Sequence, residues 1–184
     1  VVTRPKDKGT AAETLVARYL RKTYWPHAER RALSGGQDKG DITGTPGLVW
    51  EVKAAKTLCV PAWLRETEAE RHNADADYAT LVIKPVGVGA TRVGEWYALM
   101  DRDRFREILV DLPFSDWAPH THTLETTVRK MSLAHALLAV SLNPKPQHWV
   151  YYPKFVATHL IQMVGLLNMA GYGSDIDNRK KDHA

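Results

Sequence analysis

One cysteine, Cys59, is all the thiol chemistry this chain carries. A single thiol closes no internal disulfide and builds no multi-cysteine zinc site, which fits a reducing compartment. Long apolar runs are missing too, so no segment is expected to cross a bilayer. Residues 1–9 are polar and basic and hold no apolar stretch of the kind a signal peptide needs. A soluble, cytoplasmic protein with no membrane partner is expected. The glycine-rich loop Ser34–Gly40 lacks the Lys-Ser or Lys-Thr helix start of a phosphate-gripping P-loop, and a strand should follow it instead. No small-molecule cofactor is expected, and no zinc finger or other sequence-reading module is present. Charge of one sign barely dominates: +4 overall, with a pI near 9.2, leans toward a polyanionic partner without deciding the matter.

What is present is ordinary globular material. The 184 residues, 44% apolar and 25% charged, suit one domain with room for an appendage. The chemistry concentrates in Gly40–Lys53, which reads as two short strands joined by a Thr45-Pro46-Gly47 turn. Side chains alternate along a strand, so Glu51 and Lys53 leave one face while Trp50 and Val52 leave the other. If the two strands pair, Asp41 approaches Glu51. Two carboxylates held together repel unless a proton or a divalent cation compensates, and oxygen-only ligation suits Mg2+, with Mn2+ as substitute.

The surrounding elements are expected in this order. Thr10 and Glu13 form a capping box, opening a helix with Leu15, Val16, Tyr19 and Leu20 on its apolar side. Residues 28–33 make a first strand. Pro61 opens a second helix over Ala62–His72, with its charges mostly solvated. Strands follow at Tyr78–Lys84 and Glu95–Met100, then a short helix ending near Leu112. Beyond it, a loop at 114–127, a helix at 128–142, a short aromatic strand near Trp149–Tyr152 and a very apolar helix at Lys154–Ala170 complete the reading. The expected organisation is a flexible basic stretch at 1–9, a core at 10–112, a mainly helical extension at 113–176 and a disordered tail at 177–184. The apolar C-terminal helices ask for partners, either within the chain or in a second copy, making a homodimer.

Asp41 followed by Glu51-Val52-Lys53 resembles the signature of the PD-(D/E)XK nuclease superfamily, most closely the archaeal and phage-type Holliday junction resolvases. The resemblance implies an α/β, restriction-endonuclease-like core: helix, three-stranded meander, helix, two strands, here with a helical C-terminal extension. It implies a magnesium-dependent DNA endonuclease acting on branched DNA. Asp41, Glu51 and the main chain of Val52 would hold the metal, Lys53 would orient or activate the attacking water, and Glu13 on the first helix would add a third carboxylate. Glu13 therefore has two readings, helix cap or metal ligand, and both can hold. Gly40 stands where the family's name places a proline.

Asp38 is an alternative acid to Asp41, but the strand placement and the gap to Glu51 favour Asp41. Around these residues Lys39, Lys56, Arg31, Arg65 and Arg71 are candidates for contacts with DNA phosphates, and Glu68 for a polar contribution from the second helix. Cys59 has no nearby histidine and reads as a small buried apolar residue. His120 and His122 have no third ligand and receive no role. Flap-, single-strand- or end-directed cleavage is an alternative activity. The competing class is a non-catalytic nucleic-acid-binding or assembly protein, in which Asp41, Glu51 and Lys53 form a buried ion-pair cluster.

Overall fold

A computed structural model of the chain describes residues 5–32, 38–112, 149–151 and 154–173. The loop expected at 114–127 and the helix at 128–142 lie outside these residues, as does the tail from 177. In chain order the elements are α1 (Pro5–Lys22), β1 (Glu29–Arg30), β2 (Ile42–Thr43), β3 (Leu48–Lys53), α2 (Val60–Asn73), β4 (Tyr78–Ile83), a 3-10 turn at Ala90–Glu95, β5 (Tyr97–Asp101), α3 (Arg102–Asp111), β6 (Val150–Tyr151), β7 (Phe155–His159) and α4 (Leu160–Met169).

A mixed five-stranded sheet ordered β3-β4-β5-β7-β6 organises the molecule. β3 and β4 are parallel, in register from Leu48 opposite Tyr78 to Lys53 opposite Ile83, with α2 as the crossover between them. The remaining pairs are antiparallel. Alternation along the strands divides the core in two. Trp50, Val52, Val82, Ala98, Met100 and Val156 face α1, α3 and α4, where Val16, Leu20, Phe105, Ile108, Leu160 and Val164 close over them. On the other face Leu81, Ile83, Leu99 and Ala157 pack with Val60, Trp63 and Leu64 of α2. This is an α/β fold with helices on both faces of the sheet.

The structure corrects the sequence reading at several points. α1 starts at Pro5, so Thr10 and Glu13 are interior to it: the Thr10 carbonyl accepts from the Thr14 hydroxyl at 2.8 Å, and Glu13 caps nothing. Residues 5–9 thus belong to the helix. The three-stranded meander is loosened, because β1 and β2 form their own two-residue ladder and the Asp41 strand does not continue into the main sheet.

The largest correction concerns Lys154–Ala170. Its first part is not helix but β7, which pairs with β5 from Tyr97 opposite His159 to Asp101 opposite Phe155. Phe155, Val156 and Ala157 are buried on both faces of the sheet, so they show no period-two alternation, and an apolar run of this kind is equally compatible with a buried helix. Only Leu160–Met169 is helical. It ends at Gly171, whose φ of +98° lets its N–H reach the Asn168 carbonyl while that of Tyr172 reaches Leu167. Residues 155–169 are therefore part of the core and not of a helical extension. Most of the apolar side of α4 is covered by the chain itself, since Leu160, Met163, Val164, Leu166 and Leu167 are all buried. It leaves only Ile161 and Met169 as exposed large apolar residues on α4 for a dimer contact. Among the described residues no helix is long and apolar enough to cross a membrane.

Candidate active site

β3 is an edge strand of the sheet, and its open edge is where the chemistry gathers. Ladder bonds to β4 use one side of its backbone. On the other side the Trp50 carbonyl accepts from the Asp41 N–H at 2.9 Å, and the Val52 N–H donates to Asp41 Oδ2 at 2.8 Å. The N–H and C=O of one strand residue leave on the same side, as the exchange of both bonds in an antiparallel pair requires. The Val52 carbonyl is therefore directed to the edge where the Asp41 carboxyl sits.

Gly40 makes this approach possible. Its φ is +84°, and a Cβ there would lie 2.8 Å from Val49 Cγ1 and 3.1 Å from the Trp50 carbonyl oxygen. A proline, with φ fixed near about −65°, cannot adopt this backbone. Glycine at position 40 is thus a backbone requirement of this chain. Arg31 completes the anchorage: its N–H donates to the Asp41 carbonyl at 2.7 Å, and its guanidinium to the carbonyls of Gly40 at 3.0 Å and Ile42 at 3.4 Å.

Glu51 and Lys53 leave β3 toward α2, as alternation requires. Lys53 Nζ lies 2.5 Å from Glu51 Oε1 and 3.0 Å from Glu66 Oε2. Glu70, one turn beyond Glu66 on α2, is 5% exposed, and its buried Oε2 receives no hydrogen bond from an N–H or hydroxyl group. Asp41 and Glu51 are within hydrogen-bonding reach of each other, and so are Glu51 and Glu70. The site is therefore a row of three carboxyls, Asp41, Glu51 and Glu70, with one ammonium at its side.

The electrostatics follow from that crowding. Burial, then the charge of Glu51, pushes Asp41 up to about 8, against the bond from the Val52 N–H. Burial and the charge of Glu70 push Glu51 up to about 7, although Lys53 pulls the other way. Glu70 rises to about 7 through burial and the charge of Asp38. Burial works against the Lys53 ammonium, but its bonds to Glu51 and Glu66 outweigh that and hold its pKa above the ordinary lysine value. Those two bonds favour the charged form of Lys53. These shifts describe a site with more negative charge than its own residues neutralise.

The other sequence candidates fall on both sides of this line. Glu13 lies near enough for its charge to raise Asp41, yet it is paired with Arg30 at 3.5 Å. Arg71 is committed elsewhere, to Glu68 at 3.0 Å and to the Ala76 carbonyl at 2.9 Å, so neither Glu68 nor Arg71 joins the site. Arg31 is likewise occupied by backbone carbonyls. Lys39, Lys56 and Arg65 are exposed. Cys59 is exposed rather than buried; it stands at the start of α2, where its carbonyl accepts from the N–H groups of Ala62 and Trp63.

Glu66 and Glu70 were not among the expected residues. Glu70 falls two turns beyond Trp63 and close to one turn beyond the buried Thr67, so helical spacing does place it on the inner side of α2.

The donor set is all oxygen, which suits Mg2+ or Mn2+, and the crowding of buried carboxyls that raises their pKa values is of the kind a proton or a divalent cation would relieve. Among the described residues no three His, Cys, Asp or Glu side chains are arranged to hold a metal ion as they stand. Glu51 is held by Lys53, so receiving a cation would require its carboxylate to turn. No family model, curated protein or solved structure matches this chain.

Proposed function

We propose that this protein is a magnesium-dependent DNA endonuclease with a restriction-endonuclease-like core, structure-selective in the manner of the Holliday junction resolvases. The observation that carries the reading is the meeting of Asp41 and Glu51 beside Lys53 at the open edge of β3, with Glu70 behind them. Resemblance in sequence and convergence in space concern the same three residues.

Asp41, Glu51 and the Val52 carbonyl would hold the cation, with Glu70 in reach and Glu13 near Asp41. When bound, the cation supplies a polarised phosphodiester and a water of lowered pKa. Lys53, held also by Glu66, would orient the attacking water and offset charge gathering on the phosphate oxygens. Asp41 is placed without side-chain freedom to spare, since its own backbone and its carboxyl are both bonded to β3. Symmetrical cutting of a junction requires two such sites related by a twofold axis, hence a homodimer.

The alternative is a non-catalytic nucleic-acid-binding or assembly protein. One observation favours it: Lys53 already lies between two glutamates, as in a structural ion-pair network. The three carboxyls around a single ammonium weigh against it, because a network kept for stability gains nothing from unmatched buried acids. A panel of labelled DNAs (four-way junction, flap, duplex, single strand) incubated with magnesium and then with EDTA separates the readings. Magnesium-dependent cutting that EDTA stops is the expected result; no cutting of any member under either condition overturns it.

A further inference from the structure

A second feature lies at the rim where the two parallel strands end. β3 and β4 run in the same direction, so the segments after Lys53 and after Ile83 emerge side by side, tied by the Lys84 N–H to the Lys53 carbonyl at 2.9 Å. Together with the start of α1 they enclose a cleft of about 450 Å³. Lys8, Lys56 and Lys84 line it from three separate elements, with small apolar side chains such as Ala11, Ala54 and Val88 between them, and no carboxylate among the lining residues. The cleft lies beyond the carboxyl ends of β3 and β4.

Among the described residues Lys8, Lys56 and Lys84 form no ion pair with a carboxylate. Lys84 lies 5.6 Å from the centre of the Trp96 ring, which supports the cation without cancelling it. Three ammonium groups around an apolar-walled space fit a ligand with several phosphates along one side and a flat, weakly polar body on the other. Sites of this kind run from about 300 to 1,000 Å³, so the cleft has room for a nucleotide. The loop Pro85–Gly89 carries Val86, 81% exposed, at its tip, offering an apolar contact to a base leaving the cleft.

We infer that this cleft binds single-stranded DNA, holding one unpaired nucleotide, with three consecutive backbone phosphates on Lys8, Lys56 and Lys84. Ala54, which lines the cleft, follows Lys53 directly in the chain. The meaning of this binding for cleavage, that the scissile strand enters through an unpaired arm, rests on the nuclease reading; the binding itself does not.

The test is fluorescence anisotropy in EDTA, with labelled oligo(dT) and a labelled blunt duplex, over a salt series. The proteins are the unaltered chain, the triple variant Lys8→Ala, Lys56→Ala, Lys84→Ala, and the triple lysine-to-arginine variant. The unaltered protein should prefer oligo(dT). Each phosphate contact with a single strand contributes about 0.7 to the slope of log affinity against log salt, so the alanine variant should lose a slope of about 2. Between about 50 and 200 mM salt this is an affinity difference of roughly 20-fold. The arginine variant should keep both affinity and slope, showing that folding is intact and charge is what matters. An unchanged slope and affinity in the alanine variant overturn the inference, as do tighter binding of the duplex, absence of binding to either DNA, or displacement of oligo(dT) by equimolar free dTMP. Since EDTA removes divalent cations, a protein that binds in this way but never cuts loses the nuclease reading alone, and one that cuts without this slope change loses the cleft alone.

Discussion

Glu70→Gln should stabilise the protein at alkaline pH and change little at acid pH. Asp41, Glu51 and Glu70 carry folded-state pKa values of about 8, 7 and 7 against ordinary carboxyl values in the unfolded chain. An acid whose folded pKa is raised holds its proton more tightly when folded. Its stabilising contribution is complete below the unfolded value near 4 and is lost as pH climbs toward 7 to 8. For Glu70 alone the rise from 4.5 to about 7 corresponds to about 3 kcal/mol at about 1.4 kcal/mol per unit. The three groups share protons, so their contributions do not add. Glutamine keeps the shape and removes the charge, and it relieves Glu51 of its largest electrostatic opponent. A gain of about 1–3 kcal/mol near pH 8 should result, equivalent to roughly 2–12 °C in melting temperature for a chain of this size. Thermal melts in EDTA at about pH 5 and about pH 8 read the difference. Equal destabilisation of Glu70→Gln at both pH values would refute the reasoning, since it would mean that Glu70 carries no buried charge to relieve.

Other perturbations test neighbouring steps of the argument. Magnesium should raise the melting temperature of the unaltered protein more near pH 8 than near about pH 5.5, because the ligands must lose their protons first; equal shifts would detach the cation from these carboxyls. Gly40→Ala should cost at least about 1–2 kcal/mol from left-handed backbone strain alone, plus the clash with Val49, and should lower activity by shifting Asp41; chemical denaturation and cleavage rates measure both. Amide exchange across Phe155–His159 should be as slow as across β4, because β7 pairs with both β5 and β6; rapid exchange there would remove β7 from the core. Lys53→Met should abolish cutting while DNA binding persists, as gel shift and cleavage of one sample would report.

How far the sequence could be read depended on periodicity. Asp41, Glu51 and Lys53 were legible because strand alternation alone puts the acid and the amine on one face, and the Pro-Gly turn brings Asp41 back to them. The buried β4 and the helix after Pro61 were legible for similar reasons. Glu70 was not, because α2 has a weak apolar stripe in which Thr67 and Glu70 take inward positions that composition assigns to solvent. β7 was hidden by burial on both faces, which erases the very alternation that marks a strand. Thr10 and Glu13 have the spacing of a capping box, yet the helix runs through them to Pro5, since a cap signal is a local preference that continued helix overrides. Arg31 and Arg71 show the same limit for charge: the residue type permits phosphate contact, and only the fold reveals that backbone carbonyls already occupy them.

The most direct measurement is cleavage and binding of one labelled branched DNA by the unaltered protein and by Glu51→Gln, side by side in magnesium. Loss of cleavage with binding retained is the predicted result. Cleavage by Glu51→Gln at the unaltered rate would contradict the assignment of this carboxyl row as the seat of the chemistry.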